Sequence, residues 1–122
     1  MTKNILVVDD SEMVRNYHSF ILGMFKYQVF TAENGMIALE KVLSENFDLI
    51  VTDINMPKMD GYEFIKKIRE NEIAVPIIVI STEDEMKDRM KGLRYGANTY
   101  MVKPTEPEKL VTTINLLLKN EG

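Results

Sequence analysis

Four of the five short apolar runs in this chain end in residues that can do chemistry. Asp9 and Asp10 follow Ile5-Leu6-Val7-Val8. Asp53 follows Leu49–Thr52 and leads into Ile54, Asn55, Met56 and Pro57. Ser81 and Thr82 follow residues 77–80, and Lys103 and Pro104 follow Thr99–Val102. Three carboxylates at close quarters repel one another unless a cation lies among them. The chain has no cysteine, and its single histidine, His18, stands apart in sequence, so only oxygen ligands are on offer. A few carboxylates completed by water suit a hard ion that keeps part of its hydration shell, and Mg²⁺ is the expected one. A lysine ammonium facing the same place balances charge on a phosphoryl group, and a serine hydroxyl can donate to one of its oxygens. This set suits phosphoryl transfer, where positioning and charge neutralisation do most of the catalysis. Either a carboxylate is the nucleophile, or a bound nucleotide or water takes part.

For these residues to meet, the apolar runs must lie side by side. The runs, with Gln28–Ala32 as the second, alternate with five segments of helical period. A first helix, capped by Asp10 or Ser11, carries Val14, Tyr17, Ile21 and Met24 at helical spacing. A second, capped by Asn34, turns Leu39 and Leu43 inward. Asp60-Gly61-Tyr62-Glu63 reads as a capping-box variant before Phe64, Ile65 and Ile68. Thr82-Glu83-Asp84-Glu85 reads as a capping box for a fourth helix with Met86, Met90 and Leu93, ended by Gly96. Thr105-Glu106-Pro107-Glu108 reads as another, for a last helix carrying Leu110, Ile114, Leu117 and Leu118. Strands without polar alternation, separated by helices, predict an α/β fold: a parallel sheet covered on both faces and doubly wound by right-handed crossovers. In such sheets ligands sit beyond the carboxyl ends of the strands, where the reactive residues stand.

Composition narrows the rest. The length of 122 residues fits one domain spanning the whole chain, 1–122. A net charge of −4 argues against a surface built for nucleic acid or acidic lipid, and no apolar run approaches a membrane span. The absence of cysteine and of a secretory signal predicts a soluble cytoplasmic protein.

Asp9-Asp10-Ser11, the stretch from Asp53 to Gly61, Ser81-Thr82 and Lys103-Pro104, in this order over roughly residues 4 to 119, resemble the receiver domain of two-component response regulators. The resemblance implies a flavodoxin-like five-stranded sheet of order 2-1-3-4-5 with five helices. It makes Asp53 the phosphoacceptor. Asp10, Asp53 and the backbone carbonyl of Asn55 would bind Mg²⁺, with Asp9 supporting it through water. Lys103 would contact the phosphoryl group and precede a cis bond to Pro104. Ser81 would be the switch hydroxyl and Tyr100 the switch aromatic. The implied partners are a sensor histidine kinase or phosphotransfer protein and a downstream protein target, with no direct nucleic-acid or membrane contact. The implied switch alters the surface of the fourth helix, fifth strand and fifth helix, as in chemotaxis-like single-domain receivers. Such a protein is no enzyme beyond its own phosphorylation and dephosphorylation. No effector segment follows the fifth helix, which fits a stand-alone receiver or a fragment of a longer regulator.

Plainer roles compete for each residue. Asp9 and Asp10 could simply cap a helix, Ser81 could cap the fourth, Lys103 could be a surface lysine, and Tyr100 could fill a strand. Met86 and Met90 read as core before docking surface. Residues 83–89 read as a solvated face with i, i+4 pairs. A phosphodonor role for His18 would need a helical-bundle setting that this chain lacks. Other functional classes fit less well. A phosphate-independent pseudo-receiver has no need of the full acidic set and Lys103. A flavin site would suffer repulsion from Asp9 and Asp10, and a P-loop pattern is missing. A haloacid-dehalogenase-like phosphatase would want an Asp where Asn55 stands.

Overall fold

A computed structural model describes residues 2 to 119; Met1 and the tail residues 120–122 lie outside the described residues. Its elements are β1 (Asn4–Val8), α1 (Glu12–Met24), β2 (Gln28–Ala32), α2 (Gly35–Ser44), β3 (Leu49–Thr52), α3 (Gly61–Glu70), β4 (Ile77–Ser81), α4 (Met86–Tyr95), β5 (Thr99–Val102) and α5 (Pro107–Lys119). All strands pair in parallel, in the order β2-β1-β3-β4-β5. This is the expected five-stranded, five-helix, flavodoxin-like arrangement.

The strands hold this position because both of their faces are apolar. Leu6, Val8, Ile50, Ile77 and Val79 join α2 and α3 in one core, through Ala38, Val42, Phe64, Ile65 and Ile68. The alternate strand residues Ile5, Val7, Leu49, Val51, Ile78 and Ile80 join α1 and α5 in the other, through Ile21, Leu22, Leu110, Val111 and Ile114. The register aligns Val8 with Ala32 and Thr52, Thr52 with Val79, and Ser81 with Val102. All five chain exits from the sheet therefore lie along one edge.

Several local expectations hold. Ser11 caps α1 by accepting from the Val14 N–H (3.3 Å), Asn34 caps α2 through Ile37 (2.9 Å), and Asp60 caps α3 through Glu63 (2.9 Å). Gly96 ends α4 with φ +125°, a conformation that L side chains rarely adopt.

Others are corrected. In α1, Tyr17 and Met24 point to solvent, and the buried residues are His18, Ile21 and Leu22. This helix is apolar on two sides, so periodicity alone cannot say which side meets the sheet. Leu43 is likewise exposed while Ala38 and Val42 are buried. The Thr82 capping box does not form: α4 starts at Met86, and its N-cap Glu85 makes no side-chain capping bond. Met86, Met90 and Leu93 are exposed rather than core, and the buried residue of α4 is Gly92. A Cβ there would come within 3.1 Å of the Tyr100 ring, so the absence of a side chain is what lets α4 approach β5. Thr105 does not cap α5 either: its buried hydroxyl has no hydrogen-bond partner among the described residues.

Candidate functional site

The strand ends bring four of the expected residues together. Asp9 leaves β1 almost fully buried, and its Oδ1 accepts from the Ser11 N–H (2.9 Å), which fixes the carboxylate at the head of α1. Asp53 leaves β3 with its N–H on the Val8 carbonyl (2.9 Å) and its Oδ1 on the Ile54 N–H (2.7 Å). Lys103 leaves β5 and reaches across the sheet edge to Asp9 Oδ2 (2.8 Å) and Asp53 Oδ2 (3.1 Å). Asp10 is exposed beside them, and carboxylate oxygens of Asp9, Asp10 and Asp53 lie within 4.8 Å of one another. Lys103 precedes a cis bond to Pro104, as the family resemblance implied.

The electrostatics follow from this geometry. Burial holds the Asp53 carboxyl above the usual carboxylate range; the Ile54 N–H and the Lys103 charge pull it back, and Asp9 opposes them. Burial also works against the Lys103 ammonium. The Asp9 hydrogen bond and the Asp53 charge outweigh it, so the lysine pKa lies above its ordinary value. One ammonium cannot neutralise three carboxylates, and the remaining negative charge faces solvent at Asp10. An all-oxygen acidic cluster with one exposed member fits a hard divalent cation that keeps several waters.

The loop after Asp53 is held against α3 by close backbone packing. The Gly61 N–H donates to the Ile54 carbonyl (2.8 Å), and a Cβ on Gly61 would fall 2.3 Å from the Asp53 carbonyl oxygen. Between them, the Met59 N–H bonds back to the Pro57 carbonyl (2.7 Å) around Lys58, whose φ of 68° lies in the left-handed region. This is a γ-turn, and it returns the chain to α3 at once.

The remaining expected residues surround a different group. Ser81 is fully buried, and its Oγ accepts from the Glu83 N–H (3.1 Å). Tyr100 is turned inward, 7% exposed, and its hydroxyl donates to the Glu83 carbonyl (2.7 Å). The exposed Asn55 donates through Nδ2 to Glu83 Oε1 (3.2 Å). Glu83 thus joins three of the residues singled out in the sequence. It was read there only as part of a capping box and a solvated face. The available signal was its place two residues after Ser81, where a hydroxyl commonly closes a local turn.

His18 also differs from its sequence reading, which set it apart from the acidic cluster. It is 4% exposed on the inner side of α1 and feels the charges of both Asp9 and Lys103. Burial, aided by Lys103 and opposed by Asp9, lowers its pKa, which favours neutral imidazole. Among the described residues no helix is long and apolar enough to cross a membrane.

Comparison with known proteins agrees with this architecture. Residues 5–115 match the response regulator receiver domain family. The chain is 39% identical over 119 residues to the alkaline phosphatase synthesis transcriptional regulatory protein PhoP of Bacillus subtilis, covering 98% of this chain and 50% of that protein. It is 40% identical over 117 residues to the probable transcriptional regulator ycf27 of Cyanophora paradoxa, covering 96% of this chain and 48% of that one. The chain thus spans about half the length of the curated relatives it matches. Among solved structures, the receiver domain of the Francisella response regulator 1452 superposes with a TM-score of 0.95 at 28% identity, covering 99% of this chain and 100% of that one. The chemotaxis response regulator CheY4 of Vibrio cholerae superposes with a TM-score of 0.90 at 36% identity, covering 96% and 99%. With its sheet order, its acidic strand ends and these relatives, the chain belongs to the response regulator receiver domains, the phosphoacceptor modules of two-component signalling.

Proposed function

We propose that Asp53 is the phosphoacceptor and that the whole chain acts as one receiver unit in the cytoplasm. It would take its phosphoryl group from a histidine of a sensor kinase or phosphotransfer protein and present an altered surface to a downstream protein. The observation that carries this reading is the Asp53 carboxylate, nearly buried at the sheet edge between Lys103 and two further acids. Burial leaves it less solvated than a surface carboxylate, and Lys103 is placed beside the oxygen that would bear the phosphoryl group. Asp10, Asp53 and the backbone carbonyl of Asn55 would hold Mg²⁺, with Asp9 supporting it through water. What a bound Mg²⁺ supplies is charge neutralisation on the phosphoryl oxygens. The chain's own part is to position the acceptor, balance charge through Lys103 and transmit the change.

Transmission would start at Ser81. Its hydroxyl now accepts from Glu83, and phosphoryl oxygens on Asp53 offer its proton a strong acceptor. A move of Ser81 loosens the Glu83 loop, which also holds Tyr100, so α4, β5 and α5 change together. Catalysis is confined to the chain's own phosphorylation and dephosphorylation.

The test is incubation with a small acyl-phosphate donor and Mg²⁺. One phosphoryl group should be added to the wild type and none to Asp53→Asn; unchanged labelling of the variant overturns the assignment. Lys103→Ala should still be labelled, while amide shifts induced by beryllofluoride at Tyr100 and residues 106–114 shrink. Failure of beryllofluoride to bind the wild type would instead favour a phosphate-independent binding module.

A further inference from the structure

Two neighbouring helices, α3 and α4, together carry a positive surplus in a chain that is net negative. α3 bears Lys66, Lys67 and Arg69 against Glu63 and Glu70. α4 bears Lys87, Arg89, Lys91 and Arg94 against Asp88. Seven cations against three acids leave a surplus of four in a chain of net charge −4, so everything outside these helices is eight negative.

Three of the seven cations are neutralised locally. Lys67 pairs with Glu63 (3.5 Å), Lys87 with Glu85 (3.4 Å) and Arg89 with Asp84 (2.7 Å). Among the described residues, Lys66, Arg69, Lys91 and Arg94 have no carboxylate within ion-pair distance. Three of these four line one open groove of about 390 Å³ between α3 and α4. Lys66, Arg69 and Arg94 line it with Tyr95, opposed there by Glu70. The fourth, Lys91, has its ammonium 4.2 Å from the centre of the Tyr62 ring and 5.8 Å from that of Tyr95, which lines the groove.

The floor of the groove is preorganised. Arg69 donates to the Gly96 carbonyl (3.1 and 2.8 Å), the Ile73 carbonyl (2.7 Å) and Asn98 Oδ1 (3.2 Å). All these acceptors are neutral, so the guanidinium is fixed in place and its charge is not cancelled. Tyr95 gives the groove an apolar side beside its cations, and its ring is backed by that of Tyr62, ring centres 5.7 Å apart.

We propose that this α3–α4 groove docks a short acidic segment of a partner protein. Size and charge both select that occupant. A ten-residue helix is about 15 Å long, a length that four or five extended residues span at about 3.3 Å each. A segment of that reach meets Lys66, Arg69 and Arg94 and ends before the negative remainder of the chain. A nucleic acid continues past the groove as a polyanion and is repelled there. The tyrosine wall suits an aliphatic or aromatic residue beside the acids. The proposal stands whether or not Asp53 is the phosphoacceptor, because it rests on the charges and geometry of the groove alone.

The experiment is an amide-shift titration of the isotope-labelled chain with N-acetylated hexaglutamate. Hexaglutamine and a random single-stranded oligonucleotide of twelve bases run beside it. Hexaglutamate should give saturable shifts confined to the groove faces of α3 and α4, weakening several-fold between about 50 and about 300 mM salt. Hexaglutamine should give none. The K66E/R94E variant should bind at least about tenfold more weakly. Both replaced side chains are exposed, and K66Q/R94Q serves if the charge reversal disturbs folding. The proposal is overturned if hexaglutamate gives no saturable shift, or if its shifts scatter over lysines elsewhere. It is also overturned if the variant binds as the wild type does. Tighter binding of the oligonucleotide at the groove would make this a nucleic-acid surface instead.

Discussion

Replacing Lys103 with methionine keeps an apolar stem and removes the ammonium that lies 2.8 Å from Asp9 and 3.1 Å from Asp53. Two mostly buried carboxylates no more than 4.8 Å apart then face each other without compensation. At an effective dielectric constant of about 20, that repulsion is about 3.5 kcal/mol. Removing one partner of a buried ion pair costs about 3–5 kcal/mol by another route, the stranded charge. The relief available is protonation of Asp53, whose carboxyl is already pushed up by burial and now loses one of the two groups pulling it back. The expected loss is therefore about 3 kcal/mol at pH 7. Its pH dependence has a definite sign. An acid whose folded pKa lies above its unfolded value contributes stability that is complete below the unfolded pKa and lost as pH rises through the folded one. The wild-type ammonium stays charged throughout that range, because its own pKa lies above the ordinary lysine value. The deficit of Lys103→Met should thus be smaller near pH 4 than at pH 7. Urea unfolding followed by far-ultraviolet circular dichroism, with chelator present, measures it at both pH values. A deficit below about 1 kcal/mol at pH 7, or one equal at both pH values, refutes the claim that Lys103 restrains mutual repulsion of these acids.

The exposed Asp10 gives the converse result: Asp10→Asn without divalent ions should raise stability by about 1 kcal/mol, and melting with and without Mg²⁺ should show a smaller metal-dependent gain than in the wild type. Gly61→Ala should destabilise by about 2–3 kcal/mol, since its Cβ would meet backbone at 2.3 and 2.8 Å. Gly23→Ala, with nothing within 4 Å, is the control and should stabilise α1 by up to about 1 kcal/mol; equal effects of the two in urea unfolding would show that backbone contact is not why Gly61 is a glycine.

Strand positions were legible because a strand buried on both faces needs an unbroken apolar run, and Ile5-Leu6-Val7-Val8 and the Ile77–Ser81 segment have no other use for one. The acids and Lys103 were legible as a set because parallel topology puts every strand exit on the same edge. Helix faces were less so. α1 carries Met13, Tyr17, Phe20 and Met24 on an exposed stripe and His18, Ile21 and Leu22 on the buried one. Both are apolar at helical spacing, and only the path of the sheet chooses between them. The start of α4 was misplaced for a related reason: Thr82 can cap a helix locally, but Ser81 and Tyr100 hold the backbone at Glu83 in another conformation.

By itself, then, the sequence determined the alternation of elements, the parallel sheet and the identity of the acidic and basic residues at its edge. These follow from local patterning and from a rule of topology that needs no coordinates. Only the tertiary structure decided that Lys103 bridges Asp9 and Asp53, that Glu83 gathers Asn55, Ser81 and Tyr100, and that His18 lies buried near the acids. It also decided that Lys66, Arg69 and Arg94, which have no carboxylate partner among the described residues, line one groove between α3 and α4. Each of these is a contact between residues far apart in the chain or a choice between two equally apolar faces. Both depend on distances of a few ångströms that are set only when the whole sheet and its helices pack together.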